Sequence, residues 1–177
     1  MTIQRFTVSR DDNIYEAWPD VVLTRGGKLI CVFSECNHHG DRSYTRIVFT
    51  ESTDRGRTWS PKKPLSEGTK GYPYWNCARI SKLNDDRLVV VCDKIYGKGE
   101  SGGTNYLWFA DAEGENWDGP FETPVKGIVP DKLRELSNGR WILATHDKSV
   151  KHEYLEQSLW YSDDKGRSWT GPITVAS

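Results

Sequence analysis

A short pattern of Ser, Asp, Gly and Trp recurs three times along this chain. The two clear copies are STDRGRTWSP at 52–61 and SDDKGRSWTGP at 162–172. A weaker copy, ADAEGENWDGP, lies between them at 110–120. Their tryptophans, Trp59, Trp117 and Trp169, are 58 and 52 positions apart. A pattern that returns at such a period indicates stacked copies of one supersecondary unit, which excludes most other folds for this chain.

A second set of markers has the same spacing. Before each copy lie two apolar segments joined by a tight turn, and these turns are Arg25-Gly26-Gly27, Asn84-Asp85-Asp86 and Ser137-Asn138-Gly139. Gly, Asn and Asp tolerate the positive φ that such hairpins need. Each unit therefore consists of strand, turn, strand, longer loop, strand, Asp-containing turn and strand.

Four-stranded antiparallel units that repeat radially are the blades of a β-propeller. The sequence predicts an all-β propeller segment with three such blades, at about 15–65, 72–123 and 127–177, within a single domain over 1–177. A β-meander or a sandwich is a weaker alternative, because neither explains the repeat. The aromatic content, with 8 Trp and 8 Tyr, fits a turn-rich β protein.

Charge and hydropathy exclude other classes of function. The formal net charge of -1 supplies no basic field for nucleic acid or for anionic lipid, so neither is an expected partner. No stretch is long and apolar enough to span a membrane, and MTIQRFTVSR lacks the features of a signal peptide. We therefore expect a cytoplasmic protein from this sequence as given, with a secreted or periplasmic location as the alternative if the N-terminus is truncated. The expected thiols at Cys31, Cys36, Cys77 and Cys92 are reduced and buried.

In Ser-x-Asp-x-Gly-x-x-Trp, the oxygens of Ser and Asp can accept backbone N–H groups of the turn, and Trp can pack over it. These residues hold a turn and do not catalyse. The copies at Ser52 to Trp59 and Ser162 to Trp169 resemble the Asp boxes, or bacterial neuraminidase (BNR) repeats, of the sialidase superfamily. The resemblance spans about 15–177. It implies a six-bladed ring, of which three blades are half.

Half a ring leaves two blade faces uncovered. Either a homodimer closes the ring by two-fold symmetry, or the missing C-terminal half belongs to a longer polypeptide.

In a propeller, the loops that enter the first strand and leave the second strand of each blade converge on the axis, and polar and aromatic residues crowd these loops. They make a carbohydrate the expected ligand, because aromatic rings stack on sugar faces and polar groups bind hydroxyls or a uronate. The candidate binding residues are Trp18, Asp20, His39, Arg42, Tyr74, Trp75, Asn76, Arg79, Asp93, Lys94, Asp131, Lys132, His146 and Asp147, with Tyr72 and His152 in the same loops.

The resemblance places Asp41 at the acid/base position of sialidases, where a semi-enclosed pocket would raise the carboxyl pKa. Glu35 and Glu16 are the candidate second carboxylates. Ala17 stands where sialidases have a carboxylate-binding arginine, and Glu16 beside it has the wrong charge for sialic acid. The family's nucleophilic tyrosine and its other arginines lie in the second half of the ring, which has no counterpart here.

We therefore expect a glycoside hydrolase with a specificity other than that of a true sialidase. Three alternatives remain: Asp41 only caps a turn, the chain is a non-catalytic module that binds glycans or proteins, or it is an inactive fragment of a longer enzyme. No glycine-rich strand-to-helix turn predicts an organic cofactor. His38 and Asp41 with His146 or Asp147 have metal-ligand chemistry, but adjacent histidines of a strand point apart, so no metal is expected.

Overall fold

The computed structural model of the protein describes residues 3–97, 102–148 and 154–176. These residues form three four-stranded antiparallel sheets and no helix. Accordingly, this part of the chain offers no helical segment with the length and apolar character needed to cross a membrane. The all-β prediction is confirmed, and so is the number of strands in each sheet.

The strands follow one another in space in the order of the chain, so each sheet is an up-and-down meander. The first sheet contains β1 (Tyr15–Leu23), β2 (Leu29–His38), β3 (Asp41–Ser52) and β4 (Lys63–Pro64). The second contains β5 (Tyr74–Lys82), β6 (Leu88–Ile95), β7 (Thr104–Ala110) and β8 (Asp118–Lys126). The third contains β9 (Arg134–Glu135), β10 (Trp141–Lys148), β11 (Leu155–Ser162) and β12 (Thr170–Ala176).

The tight turn between the first two strands of each sheet has the predicted chemistry. Its third residue takes a positive φ in all three copies, at Gly27 (88°), Asp86 (68°) and Gly139 (84°). The backbone N–H of that residue donates to the carbonyl three positions earlier, at 2.9 to 3.2 Å. Glycine and aspartate at these positions therefore allow the chain to reverse.

The core lies between the sheets. Ile30, Val32 and Phe49 of the first sheet pack against Ile80 and Trp108 of the second. The other face of the second sheet contributes Val89, Val91 and Leu107, which pack against Trp141 and Leu143 of the third. Alternation along β6 explains its unbroken apolar run, since successive side chains fill two different cores.

The outer faces of the first and third sheets differ. On the first sheet, Cys31, Phe33 and Val48 are buried under Val8 and Trp59. On the third sheet, Ile142, Leu159 and Tyr161 alternate with the core residues and are only half-buried, and Ile173, paired with Leu159, is 46% exposed.

The two clear Ser-Asp turns have the same geometry. In the first, the Ser52 hydroxyl accepts the N–H of Gly56 at 2.9 Å, and Asp54 Oδ1 accepts the N–H of Thr58 at 2.9 Å. Trp59 Nε1 donates to the Gly56 carbonyl at 3.1 Å. The copy at Ser162 to Trp169 reproduces these bonds at 2.8, 2.8 and 3.2 Å.

The weaker copy keeps its turn by other means. The Asp111 carboxylate accepts the N–H groups of Glu113 at 3.1 Å and of Glu115 at 3.0 Å, although alanines replace the Ser and Asp of the pattern. The Glu113 carboxylate in turn accepts the Thr24 hydroxyl at 2.8 Å and the Gly26 N–H at 2.7 Å. The turn of the second sheet thus links it to the first.

Asp54 makes the stability of the protein sensitive to acid. Hydrogen bonds from Thr58 and Ser52 lower its pKa from 3.8 to about 2. A carboxyl with a depressed folded pKa stabilises the fold above its unfolded pKa, and this contribution is lost as the pH falls from about 4 to about 2. We expect Asp54→Ala to lower the Tm by a few degrees at pH 7 and by less near pH 2, measured by circular dichroism. Asp12→Ala, in an exposed loop, is the control, and an equal loss in both variants would contradict the assignment.

Candidate functional site

The candidate site lies at the end of the sheets where β1 and β5 begin and β2 and β6 end. Both inner strands are irregular there, with register shifts between Ala17 and Asp20 and between Trp75 and Ala78. Within the first shift, Trp18 has a φ of 54°, a conformation that costs a non-glycine residue about 1–2 kcal/mol. Strained residues of this kind concentrate at functional sites, so this bulge marks the place to look for one.

A groove of about 460 Å³ opens beside the bulge. It is lined by His39, Gly40, Arg42, Ser43, Gly71, Tyr72 and Tyr74. The rings of Tyr72 and Tyr74 lie 5.2 Å apart, and Tyr72 is 49% exposed. The turn between β2 and β3 therefore faces the segment that enters β5 across an aromatic and polar groove.

The side chain of Arg42 lies over Trp18. Its guanidinium carbon is 4.4 Å from the centroid of the indole, and its Nη1 donates to Cys36 Sγ at 2.8 Å. His39 approaches the same indole, with 5.7 Å between ring centroids. From the second sheet, Arg79 Nη1 reaches the Trp18 carbonyl at 3.4 Å. The structure thus brings three other predicted binding residues together around Trp18.

Asp41 lies on the rim of this groove and is exposed. Its Oδ1 accepts the N–H of Ser43 at 2.9 Å, and Asn37 Nδ2 lies 3.5 Å from its Oδ2. Bonds from Ser43 lower the pKa of Asp41 below its ordinary value of 3.8. The expected raised pKa is therefore wrong for this state of the protein, because the carboxyl is solvated and accepts hydrogen bonds.

Glu16 and Glu35 do not join Asp41. Lys62 Nζ pairs with both, at 2.8 Å from Glu16 and 2.5 Å from Glu35. Arg46 also donates to Glu35 through Nε at 2.9 Å and Nη2 at 2.6 Å. Glu35 lies on the same face of β2 as Phe33, away from the second sheet, and its side chain is 3% exposed. Both candidate second carboxylates are thus ion-paired in the first sheet.

Asp93 is a structural residue. It is fully buried, and it accepts Asn76 Nδ2 at 2.9 Å, the Cys77 N–H at 2.9 Å and the Val129 N–H at 3.1 Å. Burial raises its pKa despite these bonds. The carboxyl connects the bulge of the second sheet to the segment that leads into the third. Neither Asp93 nor the Asn76 amide that it binds is therefore free to bind a sugar.

Asp20 and Lys132 connect the inner strands of the first two sheets to the segment that leads into the third. Asp20 Oδ2 accepts the N–H of Ile80 at 2.9 Å, and Asp20 Oδ1 pairs with Lys132 Nζ at 2.7 Å. Asp131 accepts the N–H of Lys132 at 2.7 Å. These three candidates hold the geometry around the axis.

Trp75 is not available for stacking. It is 4% exposed and packs edge-on against Tyr106 and Trp108, with ring centroids 5.2 and 5.0 Å away. Lys94 Nζ lies 4.4 Å from its ring centroid. The prediction that Trp75 stacks on a sugar is therefore wrong, because the side chain belongs to the core between the first two sheets.

The third sheet contributes little to the groove. The backbone of His146 pairs with Ile128, and its side chain is on the outward face of the sheet. Asp147 lies beside Gly102, where a Cβ would be 2.8 Å from its Oδ1. His152 lies outside the described residues. Within the described residues, no group of three or more His, Cys, Asp or Glu is placed to hold a metal ion.

Sequence reasoning missed Ser43, Gly71 and the bond of Arg42 to Cys36. An Asx turn that begins at Asp41 could have been predicted, because an aspartate side chain often accepts the backbone N–H two residues later, which here is that of Ser43. Gly71 and Cys36 had no such signal, because the position of Gly71 depends on its N–H bond to the Ser43 carbonyl and that of Cys36 on the pairing of β2 with β3.

The chain matches no family model and no curated protein. Its fold is similar to that of several solved structures. For a protein of unknown function from Dyadobacter fermentans, the TM-score is 0.71 at 18% identity, over 93% of this chain and 56% of that one. For the NanB sialidase of Streptococcus pneumoniae, the TM-score is 0.71 at 12% identity, over 98% and 46%. For an α-L-arabinanase of Penicillium chrysogenum, it is 0.67 at 15% identity, over 92% and 50%.

The chain spans about half the length of these structures. At this identity the likeness shows the fold: the three sheets are the blades of a partial propeller. These structures include a sialidase and an arabinanase.

Proposed function

We propose that this chain is half of a carbohydrate-active propeller and that it binds a sugar in the groove between the first two blades. The observation that carries the proposal is the groove itself. Its wall presents the paired rings of Tyr72 and Tyr74, with Arg42 and Ser43 opposite. Aromatic faces bury the C–H surface of a sugar ring, and a few convergent polar groups bind its hydroxyls.

The likeness to a sialidase and an arabinanase supports a carbohydrate ligand. It does not extend to sialic acid as the substrate. Ala17, at the position of the sialidase arginine, is buried and carries no charge, and Glu16 is neutralised by Lys62. We therefore propose a sugar other than sialic acid.

Loss of the tyrosine rings tests the groove. We expect Tyr72→Ala and Tyr74→Ala each to weaken the binding of an oligosaccharide identified on a glycan array by about tenfold, because each ring supplies about 1–1.5 kcal/mol of stacking. Isothermal titration calorimetry measures the change. Tyr161→Ala, on the outer face of the third blade, is the matched control. Unchanged affinity in both groove variants would place the sugar elsewhere.

Hydrolysis is the second candidate, and the position of Asp41 on the rim favours it. The exposed carboxyl is ionised at neutral pH, whereas a general acid must be protonated. A bound sugar that covers Asp41 would desolvate the carboxyl and raise its pKa. Asp41 then acts as acid/base in the complex with the bound sugar.

Asp41→Asn distinguishes turnover from binding. If the protein is a hydrolase, this variant should lower kcat on a panel of aryl glycosides by about 10²–10⁴-fold and leave the affinity of the groove unchanged. A binding module shows no turnover in the wild type and the same affinity in both proteins. Full activity in Asp41→Asn would exclude Asp41 as the acid/base.

The half-buried outer face of the third blade bears on assembly. The outward apolar face of the third blade has the chemistry of the inter-blade cores, so a further blade would pack there. A second copy would close the ring by two-fold symmetry, and light scattering across a concentration series would then give twice 20.2 kDa. If the measured mass stays at that of one chain, the remaining blades belong to a different polypeptide segment, as the inactive-fragment alternative requires.

A further inference from the structure

Two arginines from different blades approach one strained residue. The guanidinium carbon of Arg42 in β3 lies 4.4 Å from the centroid of the Trp18 indole, and Arg79 of β5 donates to the Trp18 carbonyl and, at 3.1 Å, to the carbonyl of its own neighbour Ala78. Both guanidinium groups act on the Cys77 thiol: burial raises the pKa of that thiol to about 12, and the two positive charges oppose the rise. We call Trp18, Arg42 and Arg79 the arginine cluster.

The arginine cluster has positive charge without a matching carboxylate. Other half-buried arginines are paired, as Arg46 is with Glu35 and Arg140 with Asp163. Among the described residues, Arg42 and Arg79 have no carboxylate within ion-pair distance, and their hydrogen bonds go to a thiol and to backbone carbonyls. A partly desolvated guanidinium without a counter-ion is costly, so a ligand that supplies the anion gains affinity.

Nearby carboxylates are already engaged. Asp20 pairs with Lys132, and the carboxyl of Asp93 is buried among three donors. Asp41 accepts from Ser43 and Asn37 on the rim. Lys94 adds a further cation at the same end of the blades, over the ring of Trp75. Arg79 and Lys94 of the second blade, with Arg42 of the first, are thus cations at this end of the blades that form no ion pair with a described carboxylate.

The contact of Arg42 with Trp18 and its bond to Cys36 Sγ hold the forked guanidinium beside the groove. An edge of such a fork matches the two oxygens of a carboxylate or of a sulfate ester, and Trp18 limits the rotamers that must be ordered on binding. We propose that the arginine cluster binds the oxyanion substituent of an acidic sugar held in the groove. This inference rests on the proposed function and specifies its ligand: a sugar that carries a carboxylate or a sulfate ester.

The experiment compares three matched oligosaccharides on the full-length protein by isothermal titration calorimetry. They share one linkage and length and differ in one residue: neutral glucose, glucuronate, or glucose 6-sulfate. We expect at least one anionic form to bind about tenfold more tightly than the neutral form at low salt, as charge-assisted bonds would produce. The glucuronate and sulfate arms show which oxyanion the protein prefers. Raising the salt to about 0.5 M should reduce this preference.

Arg42→Gln and Arg79→Gln should each bring the ratio of anionic to neutral affinity close to one, because they remove charge-assisted bonds. Arg42 also lines the groove, so this ratio, and not the neutral affinity, is the readout for Arg42→Gln. Arg42→Lys keeps the charge but loses the forked guanidinium, so we expect an intermediate ratio of anionic to neutral affinity. If Arg42→Gln does not fold, Arg42→Lys and Arg79→Gln provide the test. Arg57→Gln, in the exposed turn at the opposite end of the first blade, is the matched control.

The outcomes separate the two proposals. Equal affinity for anionic and neutral forms in the wild type overturns the arginine assignment and leaves sugar binding intact. A preference that persists in the Arg42 and Arg79 variants also overturns it. If none of the oligosaccharides binds and the glycan array is empty, the proposed function fails together with the inference drawn from it.

Discussion

Packing between neighbouring sheets is the interaction on which the rest of this structure depends. A single four-stranded sheet cannot bury both of its faces. Here the second sheet buries one face against Ile30 and Val32 and the other against Trp141 and Leu143. Complete burial of each such aliphatic side chain stabilises the fold by about 1.5–3 kcal/mol. Most of the stability therefore lies between the repeats, and each blade needs a neighbour.

This packing brings the inner strands close together. Buried polar groups between these strands therefore need hydrogen-bond partners. Asp20 and Asp93 meet that need by accepting backbone N–H groups of adjacent blades. Their carboxylates resemble catalytic candidates by residue type and by position in the loops. They serve instead to hold the bulges in which Trp18 and Asn76 lie. The candidate site is built from what these bonds position: two tyrosines, a stacked arginine and the rim around Asp41.

Much of the fold could be predicted because each repeat is a local pattern. The positive φ at Gly27 and Gly139 and the Ser52 and Asp54 bonds involve residues close in sequence, so their spacing specifies them. The site was predicted only in part. The groove lies among the loops named from the sequence, but the surroundings of Trp75 and Glu35 depend on partners more than ten residues away, and no local pattern specifies those partners.

The sequence by itself determined three four-stranded units, their hairpin turns and the end at which polar loops gather. These properties follow from a short repeat and from the alternation of apolar residues along strands. Only the tertiary structure decided which of the gathered residues are buried in blade contacts and which line an open groove. The physical reason is that burial and ion pairing depend on partners that are distant in the sequence: Lys62 neutralises Glu35, Tyr106 and Trp108 enclose Trp75, and the carbonyl of Trp18 orients Arg79.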